Sequence, residues 1–94
     1  MKLIISYNSE YDRISFIRAL SEQEDPVKAF ETYFIKRVCE LLDVSEEEAK
    51  ELIKKEDEAS WLSFENGECI GSIYFAGEFE NIELQEIPAA DVPV

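Results

Sequence analysis

The chain has 94 residues, 46% of them apolar and 12% aromatic, which is one domain's length with apolar content for a single core. Asp and Glu number 22 against 9 Lys and Arg, a formal net charge of −13, and there is no histidine. That balance excludes a nucleic-acid binder acting through a basic patch and a protein held on anionic lipid, while the missing histidine removes Ser-His, Cys-His and His-zinc chemistry.

Residues 2–7 are β-prone, and the run Leu3-Ile4-Ile5 leaves no polar face at their centre, so an internal strand is expected. That apolar run is far shorter than the roughly 7–15 residues of a secretory signal or the about 20 of a membrane span. With no secretory signal, Cys39 and Cys69 read as reduced, buried thiols and the protein as cytoplasmic.

Residues 10–20 admit two readings. Ser9 as N-cap, with Tyr11, Ile14, Ile17 and Leu20 at steps of three, predicts a helix; the competing reading is a strand from Arg13 to Arg18, hairpinned to the first. The helix is the reading favoured here. Asp25 before Pro26 is an N-cap followed by proline at the first helical position. Val27, Phe30, Phe34, Val38 and Leu41 then form a stripe at steps of three and four, which predicts the central helix to about Leu42. Ser45 with Glu48 three residues on is a capping box for a second helix, from Glu46 to about Asp57, whose only apolar residues are Ala49, Leu52 and Ile53.

From Ala59 the period changes to two. Asn66-Gly67 suits a two-residue type I′ turn, which would set Phe64 against Cys69 and Leu62 against Gly71. The core side would then carry Leu62, Phe64, Cys69, Gly71, Ile73 and Phe75, and the opposite side Trp61, Ile70 and Tyr74. Ala76-Gly77 is a second turn before a last strand, Phe79 to Ile87, where the opposite parity of Phe79 and Ile82 suggests a bulge. Residues 1–87 thus read as one compact α+β domain: an antiparallel sheet, made of the N-terminal strand and a C-terminal three-stranded meander, with two to three helices on one face. Residues 88–94 read as a frayed tail.

The charge is concentrated in the second half. Residues 1–44 hold 8 acids and 6 bases, net −2, while residues 45–94 hold 14 acids and 3 bases, net −11. In the second helix, Glu46–Lys50 and Glu51–Lys55 are favourable i, i+4 pairs, whereas Glu47 and Glu51 repel. The acids of the strand region, Glu65, Glu68, Glu78, Glu80, Glu83 and Glu86, have no base among them and lose stability by mutual repulsion. A basic partner explains that arrangement; plain solubility is the competing explanation.

No catalytic or ligand motif emerges. The acids have no implied cleft, neither cysteine has a neighbouring base, and Glu46-Glu47-Glu48 lacks the alternating oxygen ligands and glycine of a calcium loop. No enzyme activity, metal or cofactor is therefore expected. In size, in its acidic second half and in its α+β plan, the chain resembles the small acidic inhibitors that phages carry against host nucleases, including anti-CRISPR, uracil-glycosylase inhibitor-like and antirestriction proteins. The likeness covers the whole chain and matches no single position. It implies a non-enzymatic DNA-mimic type of inhibitor that blocks the basic nucleic-acid-binding surface of a host effector and binds neither nucleic acid nor membrane itself. The expected partner-binding residues are Glu47, Glu51, Glu65, Glu68, Glu78, Glu80 and Glu83, with Trp61 and Tyr74 as aromatic anchors. Two alternatives stand beside this one: an immunity or antitoxin-type protein that neutralises a cationic toxin enzyme, and a regulatory subunit whose charge serves only solubility.

Overall fold

The computed structural model describes residues 2–8 and 13–86. Its elements run β1 (Lys2–Asn8), β2 (Arg13–Ala19), α1 (Pro26–Leu42), α2 (Glu46–Lys55), β3 (Ala59–Ser63), β4 (Cys69–Phe75) and β5 (Glu78–Glu86). This is the expected α+β class: five antiparallel strands in the order β2-β1-β5-β4-β3 and two helices on one face.

The helices begin where the capping residues stand. The Asp25 carboxylate accepts from the Val27 and Lys28 amides at 3.1 and 3.2 Å, and Ser45 Oγ accepts from the Glu48 amide at 3.2 Å. Between them Asp43 turns left-handed (φ 53°), which ends α1 and lets α2 fold back beside it. Phe30, Phe34 and Val38 form a fully buried stripe against Ile4, Cys69, Ile73, Ile82 and Leu84 of the sheet. The approach is closest at Gly71, where a Cβ would lie 2.6 Å from the Phe34 ring; only glycine lets the ring lie on the strand.

Three expectations are corrected. Arg13–Ala19 is strand β2, not a helix; the proposed N-cap Ser9 and first turn lie outside the described residues. The pairing Ser6↔Phe16 followed by Tyr7↔Ile14 leaves Ser15 as a bulge, and this extra residue puts Ile14 and Ile17 on the same face three positions apart. A bulged strand thereby imitates helical spacing.

The β3–β4 hairpin is shifted by one residue. Ser63 pairs with Cys69 and Trp61 with Gly71, while the Phe64 amide donates to the Glu68 carbonyl at 2.8 Å and closes a three-residue loop, Glu65-Asn66-Gly67. Gly67 takes the left-handed position (φ 81°) of such a loop. A one-residue slip moves every side chain of a strand to the other face. Trp61 therefore turns inward against Phe30, with ring centroids 5.4 Å apart, and Leu62 turns outward. The tight turn with two positive φ angles is instead at Ala76-Gly77 (50° and 83°). The β4–β5 register then runs without a break from Phe75↔Glu78 to Cys69↔Leu84, so no bulge separates Phe79 from Ile82; these two simply face opposite sides.

Candidate functional site

Both helices lie on the same side of the sheet, which leaves the other side open. Strand registers arrange its side chains in rows that cross the sheet. One row runs Ile17, Ile5, Glu83, Ile70, Leu62, and the next runs Ile14, Tyr7, Asn81, Ser72, Ser60. Phe79 and Tyr74 form a third, with ring centroids 4.9 Å apart. Ile14, Ile17 and Leu62 are 59%, 55% and 62% exposed, and Ile70, Tyr74 and Phe79 are also exposed. At ~4.8 Å between strands and ~6.8 Å between rows, the three rows and their margins cover about 19 by 20 Å, roughly 400 Å² in projection. Asn81, Ser72 and Ser60 interrupt the middle row and the third row spans two strands, so the apolar part is smaller than this outline; exposed apolar patches of a few hundred Å² are frequently functional.

Among the described strand residues, Glu83 is the one formal charge on this face. Tyr7 Oη donates to its Oε1 at 2.8 Å and Gln85 Nε2 to its Oε2 at 2.5 Å, which fixes the carboxylate within the row. The phenol of Tyr7 is raised above its ordinary value, first by burial and then by the bond to Glu83 and that residue's charge.

The acids expected to form one face are dispersed. Glu78, Glu80 and Glu86 alternate with Phe79, Asn81 and Glu83 along β5 and so belong to the helix side. Glu80 is buried, 2% exposed, beneath α1. Arg37 donates to its two oxygens through Nε and Nη2 at 2.6 and 2.7 Å, and through Nη1 to Glu40 at 3.1 Å. The fork to Glu80 drives the Arg37 guanidinium further above its already high pKa, against the opposing effect of burial. Glu80 is therefore held inside the fold by an ion pair, away from the surface, and the strand acids are compensated at this position. Trp61 is half-buried on the helix side, packed against the core.

Glu47 and Glu51 are exposed on α2 and line a shallow groove of about 520 Å³ with Glu48, Asp57 and Glu58. Glu46–Lys50 at 3.3 Å and Glu51–Lys55 at 4.0 Å pair as their spacing predicts. Glu65 and Glu68 are exposed at the β3–β4 loop. Of the expected contact residues, then, only Glu83 and Tyr74 lie on the open face, with Glu68 at its margin. Sequence reasoning missed Ile5, Ile14, Ile17, Leu62 and Ile70 as a set, because the set exists only once β2 is a strand and β3 is shifted.

Comparison with protein-family models, with curated proteins and with solved structures finds no match to this chain. Its reading rests on its own geometry. Among the described residues no three or more His, Cys, Asp or Glu side chains gather as metal ligands, and no helix is long and apolar enough to cross a membrane.

Proposed function

We propose that the protein is a non-enzymatic binding protein of inhibitor type that occupies a basic surface of a protein partner, such as the nucleic-acid-binding surface of an effector or nuclease. What supports this reading above all is the open sheet face: in-register exposed apolar side chains around one acid, on a protein of formal charge −13. The apolar side chains of the first and third rows give the contact its buried centre, and Glu65 and Glu68 of the β3–β4 loop lie beside it as a polar rim, whereas the acids of α2 are on the helix side of the sheet. Roughly 400 Å² is about half of what one side of a standard interface buries, so the rim must contribute area as well as charge. The partner is held by apolar contact with electrostatic steering, and not by an evenly spaced phosphate-like track, since the strand acids divide between two faces.

The test uses a basic partner captured and identified from host lysate, with binding measured over a salt series and against excess nucleic acid. The expected result is competition by nucleic acid, an on-rate that falls as salt rises, and loss of binding with Leu62→Asp. Affinity indifferent to salt, to the competitor and to Leu62→Asp would return the charge to a role in solubility.

A further inference from the structure

We infer that Glu83 is the charged anchor of the open face and that the partner meets it with an arginine set among apolar side chains; this rests on the binding reading above. The row through Glu83 reads apolar, apolar, acid, apolar, apolar across five strands, so its complement is a cation flanked on both sides by apolar groups. Lysine matches the charge, but its compact ammonium is strongly hydrated, whereas a guanidinium is weakly hydrated and tolerates apolar neighbours. The geometry of the carboxylate points the same way. Tyr7 and Gln85 each occupy one lone-pair site, on different oxygens, so each oxygen keeps capacity to accept one further N–H, which matches the several donors of a guanidinium. None of the ion pairs among the described side chains includes Glu83, which leaves its carboxylate open to a cation from a partner.

The same row argues against a second copy of this chain as the occupant. A two-fold related copy whose axis passes through the Glu83 row would bring Glu83 toward Glu83, and the described strand residues of this face include no base to separate them. The carboxylate thus selects for a cationic partner and against self-pairing through this row.

The test pans a displayed library of random peptides against wild type, Glu83→Lys, Glu83→Gln and Leu62→Asp, each first shown to melt cooperatively, with sedimentation of the unliganded wild type alongside. Wild type should enrich peptides carrying arginine flanked by apolar residues. Glu83→Gln keeps the shape and should bind those peptides about thirtyfold more weakly, the equivalent of roughly 2 kcal/mol. Glu83→Lys should enrich Asp or Glu at the corresponding position. Identical charge preferences in wild type and Glu83→Lys, or no enrichment by wild type, would overturn the anchor. Wild-type peptides that still bind Leu62→Asp would overturn the binding-face reading itself. An unliganded dimer dispersed by Leu62→Asp would assign the face to a second copy and overturn the cationic partner.

Discussion

Removing the Arg37 side chain leaves the Glu80 carboxylate buried without its counter-ion, and the structure sets the size of the effect. Glu80 is 2% exposed and accepts both arms of the guanidinium, while the Arg37 side chain is 28% exposed. Breaking a buried pair from one side costs about 3–5 kcal/mol. Partial exposure of Arg37 lets water follow it out, which places Arg37→Met near the lower end, about 3 kcal/mol. Out of a total of about 5–15 kcal/mol, that is a large fraction. At a urea slope of about 1.5 kcal/mol/M, the midpoint should fall by roughly 2 M with the slope unchanged. The double variant Arg37→Met/Glu80→Met exchanges the pair for apolar side chains and should lie within about 1 kcal/mol of wild type, since such exchanges are often neutral. Urea unfolding of both variants separates the ion pair from simple packing. Equal destabilisation of single and double variants, or a loss below about 1 kcal/mol in Arg37→Met, would refute the reasoning and leave Glu80 available as a contact residue.

Phe34→Ala should lose about 3–5 kcal/mol, and Gly71→Ala about 1–3 kcal/mol because its Cβ would strike the Phe34 ring; thermal melts check both. Ala76 holds a positive φ (50°) in a turn that favours asparagine, so Ala76→Asn should stabilise by about 0.5–1 kcal/mol, read as a higher urea midpoint. The raised phenol of Tyr7 stabilises the fold fully below the ordinary tyrosine pKa of 10.0, and that contribution is lost as pH rises through the higher native value. Tyr7→Phe should therefore flatten the alkaline fall in stability above about pH 10, measured by urea unfolding across that range; an unchanged slope would contradict the raised phenol of Tyr7.

The parts of the fold legible in the sequence are those set by local chemistry. Asp25-Pro26 and the Ser45–Glu48 box start the helices at the positions read from the sequence, and the Phe30, Phe34, Val38 stripe is the core stripe. The inward set of β4, Cys69, Gly71, Ile73 and Phe75, was also legible, since alternation alone assigns it. What failed depended on a count of one residue. Asn66-Gly67 serves a two- or a three-residue loop, and the choice sends either Leu62 or Trp61 to the core; burial of the larger Trp61 against Phe30 goes with the longer loop. In β2, the bulge at Ser15 gave Ile14 and Ile17 a helical interval within a strand. The same two errors hid the open face, whose rows are made by partners far apart in sequence. Glu80 looked like an uncompensated strand acid because its cation stands 43 positions earlier, on α1.

The central claim, that the open sheet face receives the partner, is tested most directly by isoleucine methyl spectra during titration with the captured basic partner. Ile5, Ile14, Ile17 and Ile70 lie on the open face, whereas Ile4, Ile73 and Ile82 are buried on the helix side and serve as internal controls. The account predicts that the first set shifts or broadens as partner is added while the second stays in place. Perturbation confined to helix-layer methyls such as Ile35 and Ile53, with Ile14, Ile17 and Ile70 unmoved, would contradict it.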